Sequence, residues 1–297
     1  MADGLIQDVS DTAFMVATYR AMETERSDAL FRDPLAGTLA GTHGVNIVAN
    51  MRRNAAMGKW FVVIRTCVID DLIRNAVAEG VDTVLNLGAG LDTRPYRLSL
   101  PQSLRWIEID YPRIIELKES RLASEKPRCR LERIKLDLTD VERRRRVFSE
   151  IAGQSEKVLV LTEGVVPYLT TEEAGSLADD LRTQPAFRYW IVDYLAPSIR
   201  MQRERAAKAM KMENARFRFQ PPDYYAFFEE HGWRPKDIRY IAEEGLKLNR
   251  PPELPLFFLV WFKLASLFMS KRRRDAFRKA AAYVLFEPSE TKAQGAS

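Results

Sequence analysis

The sequence predicts an α/β fold built on a doubly wound sheet of parallel strands. Apolar segments of strand length alternate with helical segments from residue 58 to residue 195, which is typical of such a sheet. One strand, at 82–87, runs directly into a turn that contains Gly88 and Gly90. A second strand, WIEID, ends in Asp110 about 20 residues later, where doubly wound sheets place the carboxylate that holds ribose hydroxyls.

Three helical segments precede the glycine turn. The first, residues 10–30, begins with polar residues that suit an N-cap and continues with apolar residues at helical spacing. The second begins after Pro34 and covers 36–39. The third, 58–79, has the spacing of a long amphipathic helix, and Gly80 is expected to end it.

The segments after the turn continue the alternation. Helices are predicted near 93–99 and at 112–125, 140–152 and 171–181, the last capped by Thr170 or Thr171. Strands are predicted at 105–110, 131–136, 158–164 and 189–195. The remainder is expected to form a polar helix at 198–215, a short helix at 223–233 and strands at 239–243 and 282–288.

Composition predicts one domain with reduced thiols. No linker divides the 297 residues, which can bury one large core or two small ones. The start lacks the features of a secretory signal, and Cys67 and Cys129 show no metal spacing, so we expect a cytoplasmic protein without a metal site. The net charge of +5 is mild, and the basic run 143–146 is interpreted as a solvated helix face. No pattern outside the C-terminal third indicates nucleic-acid binding.

The glycine turn departs from the dinucleotide-binding pattern. Thr93 occupies the position of the third glycine, and Asp92 would repel a pyrophosphate. The turn therefore favours a ribose-bearing ligand without a pyrophosphate, and a dehydrogenase is disfavoured. Asp92 and Arg94 either pair with each other or with neighbours to fix the turn, or contact the ligand.

Five segments carry a resemblance to a known family. They are TAFMVATYRAMETERSDALFRDPLAG (12–37), NLGAGLDTRPYRL (86–98), IEIDYP (107–112), KLDLTD (135–140) and LTEGVVPYLT (161–170). Together they resemble the leucine carboxyl methyltransferase family, and more closely its bacterial branch, which includes carboxyl O-methyltransferases of polyketide pathways. The resemblance implies a class I S-adenosylmethionine-dependent methyltransferase, with a seven-stranded, mostly parallel sheet and helices on both faces.

The resemblance also implies roles for particular residues. Arg65 is expected to pair with the carboxylate of the cofactor's methionine part, and Glu163 to lie near the same end. Gly88, with Ala89 and Gly90 in the same turn, is expected to lie against that part. Asp110 would take the ribose hydroxyls, and Asp137 and Leu138 the edge and face of the adenine.

Each assignment has a structural alternative. Arg65 fits a helix-surface arginine and Glu163 a solvated loop acid. Asp110 and Asp137 would also suit helix caps.

The scarcity of histidine favours a carboxylate as the methyl acceptor. A carboxylate is already ionised at neutral pH and needs no general base, whereas a phenol or alcohol usually does. Of the two histidines, His43 is assigned to a glycine-rich loop and His231 to a helix end. Residues expected to line the acceptor side are Tyr19, Arg20, Tyr168 and Tyr194, although core packing explains the same residues.

An apolar segment near the C-terminus, 254–269, is predicted to form a helix inserted before the last strand. It is too short to span a bilayer. It either covers a large, apolar acceptor pocket or lies in a membrane interface, with the basic run at 271–274 against anionic headgroups. Both alternatives indicate a hydrophobic substrate, polyketide- or lipid-like.

We therefore expect one methyltransferase domain, with a helical cap at 1–57, a core at 58–245, an insertion at 246–281 and a last strand at 282–288. The leading hypothesis is O-methylation of a carboxylate on a hydrophobic small molecule. The alternatives are a phenol or alcohol acceptor, or a non-catalytic cofactor-binding protein associated with a membrane.

Overall fold

The computed structural model describes residues 9–51, 55–201, 217–253 and 269–290. Its N-terminal part consists of three helices, α1 (Val9–Thr24), α2 (Ala36–Asn50) and α3 (Ala55–Ala78). The first two pack against each other, and α1 also contacts α3. The N-terminal helices therefore form a cap beside the sheet.

The described residues form a seven-stranded sheet in the order β3-β2-β1-β4-β5-β7-β6. The five neighbouring strands from β3 to β5 are parallel, and β7 is antiparallel to both β5 and β6. The strands are β1 (Thr83–Leu87), β2 (Arg105–Asp110), β3 (Arg130–Lys135), β4 (Val158–Thr162), β5 (Phe187–Leu195), β6 (Trp233–Tyr240) and β7 (Ala281–Pro288). The predicted α/β class and mostly parallel sheet are confirmed.

Helices connect the strands, as right-handed crossovers between parallel strands require. They are α4 (Arg94–Arg97), α5 (Pro112–Arg121), α6 (Val141–Ala152), α7 (Thr171–Arg182), α8 (Tyr224–Glu230), α9 (Ile241–Lys247) and α10 (Lys271–Arg278), with a 3₁₀ turn at Val166–Tyr168. The Thr170 side chain caps α7 and forms a reciprocal capping box with Glu173, as the sequence predicts.

Two hydrophobic clusters lie on opposite faces of the sheet. In β1, Leu85 and Leu87 face a cluster that includes Phe148 of α6, whereas Val84 faces a cluster that includes Leu72 of α3. Every residue of β1 and β4 is buried, which explains why these strands read as continuous apolar runs.

Four local predictions are wrong. The first helix ends at Thr24 rather than near residue 30. Helix α2 continues well past Leu39, through a non-helical Gly41, so His43 lies in a helix and not in a loop. The predicted strand at 239–243 is the end of β6 followed by α9.

The fourth concerns the basic run on α6, which is only partly a solvated face. Arg144 is 4% exposed and pairs with Asp180 of α7. Arg145 also reaches Asp180, with its Nε 2.7 Å from Oδ1, although its own side chain is 62% exposed. One arginine of the run therefore belongs to the packing between α6 and α7, because its charge is compensated there.

Two predictions fall mainly outside the described residues: the helix at 198–215 beyond Met201, and the apolar segment at 254–268. The basic run that follows this segment lies on α10, directly before β7. Helix α10 exposes Lys271 to Arg274 and has no buried residue. Within the described ranges, no helix is long and apolar enough to cross a membrane.

Candidate active site

The turn after β1 brings the backbone of Gly88 into a confined space between β2 and β4. Gly88 has φ +64°, and its N–H donates to the carbonyl of Ile109 at 2.8 Å. A Cβ at this position would lie 2.5 Å from Cγ2 of Val165, the third residue after β4. Glycine is therefore required both by the conformation and by the space.

Asp110 ends β2 and fixes the same turn. Its Oδ2 accepts from the N–H of Gly90 at 2.6 Å, and its Oδ1 accepts from the N–H of Tyr111 at 2.7 Å. Burial raises the pKa of Asp110, and these two hydrogen bonds oppose the shift. Helix α5 has Tyr111 at its N-cap without a side-chain cap bond, which disfavours the cap alternative. A carboxylate has about four acceptor positions, so Asp110 can accept from a further hydroxyl.

Asp137 and Leu138 follow β3, on the strand next to β2. Oδ1 of Asp137 accepts from the N–H and the hydroxyl of Thr139 at 2.9 and 2.8 Å. The N-cap of α6 is Asp140, whose side chain accepts from Arg143 N–H, so Asp137 is not the helix cap. Leu138 is partly buried against the hydrophobic cluster. The structure thus places both residues beside the end of β2.

Glu163 follows β4 directly and meets Arg65 of α3. Nε of Arg65 lies 2.9 Å from Oε1 of Glu163, and the two side chains are 13% and 14% exposed. Burial tends to raise the pKa of Glu163, but the nearby guanidinium groups outweigh it and the pKa is lowered. Neither residue is a solvated surface group.

Arg94 connects Glu163 to the glycine turn. Its Nη1 lies 2.8 Å from Glu163 Oε2 and 2.8 Å from Asp92 Oδ2, and its Nε lies 2.7 Å from Asp70 Oδ1. Asp92 also accepts from Arg94 N–H at 2.9 Å and from Asn86 Nδ2 at 2.9 Å. Asp92 and Arg94 therefore fix the turn through each other and their neighbours, one of the two alternatives that the sequence left open.

Beyond Arg94, buried charges of alternating sign form a closed ring that sequence reasoning missed. Arg97 pairs with Asp70 at 2.6 Å and lies 3.7 Å from Asp33. Asp33 in turn lies 3.5 Å from Arg20, whose Nη1 is 3.9 Å from Asp92. The ring consists of Arg94, Asp70, Arg97, Asp33, Arg20 and Asp92. It joins α1, the loop after α1 and α3 to the turn, so the N-terminal cap is tied electrostatically to the candidate site.

Two of the four residues predicted for the acceptor side are engaged in packing. Arg20 is 4% exposed and donates to the carbonyl of Leu91 at 2.5 Å in addition to its place in the ring. Tyr19 is fully buried, with its hydroxyl 3.9 Å from the sulfur of Met51. These contacts favour the packing role for both residues.

The other two lie at the edge of the sheet where Glu163 is found. Tyr168 is in the 3₁₀ turn after β4, and its ring centroid is 5.1 Å from that of Phe217. Tyr194, near the end of β5, contacts the rings of Tyr224 and Tyr225 at 4.9 and 5.7 Å. Because β4 and β5 are parallel neighbours, their carboxyl ends meet at one edge of the sheet. These aromatic groups therefore lie at the same edge as Glu163, where the methionine end of the cofactor is predicted.

Both histidines pair with an aspartate. His43 Nε2 lies 2.9 Å from Asp11 Oδ1, and His231, at the C-cap of α8, has Nδ1 2.6 Å from Asp179 Oδ1. In the part of the chain that the structure describes, no group of three or more His, Cys, Asp or Glu side chains is arranged to hold a metal ion.

Similarity to solved structures supports the fold. A structure described as a "putative methyltransferase" from Thermobifida fusca matches with a TM-score of 0.57 at 12% identity, covering 97% of each chain. A DUF574-family protein from Streptomyces avermitilis matches with a TM-score of 0.50 at 14% identity, covering 93% of this chain and 97% of the other. Both matches support the α/β fold and its mostly parallel sheet.

The sequence decides the family. The leucine carboxyl methyltransferase model matches residues 13–182, more than half of the chain. The chain belongs to the leucine carboxyl methyltransferase family. The family prediction is therefore confirmed, and the matched region contains the glycine turn, Asp110, Glu163 and Arg65.

The names of relatives of this chain include the cofactor S-adenosylmethionine. A "putative S-adenosyl-L-methionine-dependent methyltransferase" of Parafrankia sp. is 30% identical over 273 residues, covering 84% of each chain. A protein of the same description from Streptomyces coelicolor is 42% identical over 131 residues, which is 41% of this chain and 46% of that protein. The chain thus spans about half the length of the Streptomyces relatives that it matches.

The site residues fit the cofactor of this methyltransferase family. The guanidinium of Arg65 is a group that binds carboxylates, and the carboxylate of Glu163 beside it is suited to an ammonium group. Asp110 has acceptor capacity for ribose hydroxyls at the turn that contains Gly88 and Gly90. These groups match the carboxylate, ammonium and ribose of S-adenosylmethionine.

Proposed function

We propose that the protein is an S-adenosylmethionine-dependent O-methyltransferase that acts on a carboxylate of a hydrophobic small molecule. The observation that supports it most is the convergence of Arg65, Glu163 and Asp110 around the Gly88 turn. S-adenosylmethionine is the cofactor for which relatives of this chain are named. When bound, its sulfonium supplies an activated methyl group.

The protein's own contribution is binding and orientation. Arg65 and Glu163 present opposite charges side by side, which is complementary to an α-amino acid group. Asp110 and the turn would hold the nucleoside, and Tyr168 and Tyr194, which follow or end the neighbouring strands β4 and β5, would line the acceptor side. Positioning an acceptor oxygen in line with the methyl group supplies the catalytic advantage, up to roughly 7–11 kcal/mol in favourable intramolecular cases.

A carboxylate acceptor is supported by the chemistry of the nearby side chains. His231 pairs with Asp179 toward the end of α7, away from the edge that bears Glu163, so it is not placed to act as a general base there. A carboxylate is ionised at pH 7 and needs no base to remove a proton. A hydrophobic acceptor is supported by the aromatic rings that surround Tyr168 and Tyr194.

The test is methyl transfer from radiolabelled S-adenosylmethionine to matched acceptors. Long-chain and aromatic carboxylic acids are compared with the corresponding phenols and alcohols, and each product is then treated with alkali. Methyl esters release labelled methanol in alkali, whereas methyl ethers do not. We expect alkali-labile product from the acids. Alkali-stable product would favour the phenol or alcohol acceptor, and cofactor binding without transfer would favour the non-catalytic alternative.

We further propose that 254–274 contacts an anionic membrane surface when the substrate is lipid-like. The described part of this segment supports the proposal because Lys271 to Arg274 are all exposed on α10. Co-sedimentation with phosphatidylcholine vesicles, with and without phosphatidylglycerol, tests it. Replacing the four cations with glutamine should abolish binding to the anionic vesicles, and equal sedimentation of both forms would contradict it.

A further inference from the structure

We propose that Arg94 is a positioning residue that orients the Glu163 carboxylate toward the ammonium group of the cofactor. The inference rests on the proposed function, since this role exists only if the site binds S-adenosylmethionine. Arg94 itself is 1% exposed and belongs to the turn and α4. It acts through Glu163 rather than on the ligand.

The geometry holds Glu163 from two directions. Oε2 lies 2.8 Å from Nη1 of Arg94, and Oε1 lies 2.9 Å from Nε of Arg65. Arg94 is itself immobilised, because Asp70 binds its Nε and Asp92 binds its Nη1. A guanidinium that is fixed at two points presents its remaining contact in one direction. The Glu163 carboxylate therefore has one preferred orientation, with Arg65 beside it.

Titratable groups on five elements surround Glu163. Arg65 on α3 and Arg94 at the start of α4 are positive, whereas Asp92 in the turn is negative. Asp193 on β5 and Tyr283 on β7 also interact with this carboxyl group. Burial tends to raise the pKa of Glu163, and the two arginines more than offset it. Without Arg94, one arginine would oppose burial and the acidic neighbours, so the pKa of Glu163 would rise.

Arg97 provides a matched control. It is an arginine of the same helix, its side chain is 4% exposed, and it pairs with Asp70 through two nitrogens at 2.6 and 2.8 Å. Its ion-pair partners are Asp70 and Asp33, and its contacts do not include Glu163. A substitution of Arg97 therefore disturbs the buried ring without removing the partner of Glu163.

The experiment is calorimetric titration with S-adenosylhomocysteine, which carries the same amino acid and ribose groups, from pH 5.5 to 8.5. We expect the wild type to bind with nearly constant affinity. Arg94→Gln should bind at least about tenfold more weakly at pH 7.5, the range for losing a charged hydrogen bond. Its affinity should fall further on acidification, because protonation of Glu163 then begins at a higher pH. Arg97→Gln should remain within about threefold of the wild type and show no added pH dependence.

Two further variants keep the test decisive if Arg94→Gln does not fold. Arg94→Lys retains the positive charge but cannot contact Asp70, Asp92 and Glu163 at once. It should therefore bind with intermediate affinity. Arg94→Lys should lose less affinity than Arg94→Gln on acidification, and adding Glu163→Gln should abolish that loss. Equal affinities and equal pH profiles for the Arg94 and Arg97 variants would refute the positioning role. A wild type that fails to bind at any pH would instead refute the proposed function.

Discussion

Replacing Gly88 with alanine should destabilise the protein and weaken cofactor binding. Gly88 combines φ +64° with a Cβ position 2.5 Å from Val165 Cγ2. The left-handed conformation costs a non-glycine residue about 1–2 kcal/mol. Forcing a methyl group into an occupied space costs about 1–3 kcal/mol more. We therefore expect the free energy of unfolding to fall by about 2–5 kcal/mol in total.

A substitution at Gly80 separates the conformational cost from the steric cost. It has φ +91° at the end of α3, but a Cβ there meets nothing within 4 Å. Gly80→Ala should therefore show only the conformational cost. Urea unfolding followed by tryptophan fluorescence gives both values. In the double variant Gly88→Ala/Val165→Ala the collision is removed, so the steric part should be recovered. Equal destabilisation at Gly80 and Gly88, with no recovery in the double variant, would refute the steric argument.

Three other predictions concern stability and reactivity. Lys118→Met should lower the free energy of unfolding by about 1.5–3 kcal/mol in urea, because the buried Glu108 loses Lys118 at 2.7 Å but keeps Arg133 at 2.9 Å; a change below 1 kcal/mol would contradict this. Thr170→Ala should cost about 0.5–2 kcal/mol through loss of the α7 capping box, with no effect on cofactor affinity. Burial raises the pKa of Cys67 to about 12 and that of Cys129 to about 11. At pH 8 the lower thiolate fraction should make Cys129 react with a disulfide reagent roughly 100-fold, and Cys67 roughly 1,000-fold, more slowly than free cysteine, and both should react rapidly only after unfolding.

Much of the sheet could be predicted because its strands are locally distinctive. Val158 to Thr162 is a continuous apolar run buried on both faces, and the turn at Gly88 marks where β1 ends. The start of β6 was less distinctive. Arg234 to Lys236 are exposed on an edge strand, so their sequence lacks the apolar pattern that identifies a strand. The prediction consequently began too late and ran into α9.

The candidate site was predictable where a residue follows a strand. Asp110 and Glu163 each end or follow a buried strand, and parallel strands bring such positions to one edge of the sheet. Arg65 depended on the family resemblance, because helical spacing alone does not distinguish it from a surface arginine. These cofactor-binding assignments remain predictions until a ligand is measured.

The buried ring could not be read from the sequence because its partners are far apart in the chain. Thr93 Oγ1 and Asp33 Oδ2, 60 residues apart, lie at 2.6 Å only because the loop after α1 packs on the turn. One signal was present: Asp70 lies within the apolar face of α3, and a buried acid requires a partner. The nearby arginines of the turn, Arg94 and Arg97, supply it.

The most direct test of the account is calorimetric titration of S-adenosylhomocysteine into the wild type and Asp110→Ala. The account predicts one ligand per chain for the wild type and affinity weaker by about 10- to 150-fold in the variant, which corresponds to about 1.5–3 kcal/mol for a charged hydrogen bond. Circular dichroism of both proteins controls for folding. Unchanged affinity in Asp110→Ala, or no binding to the wild type, would contradict the claim that the Gly88 turn and Asp110 form a nucleoside site.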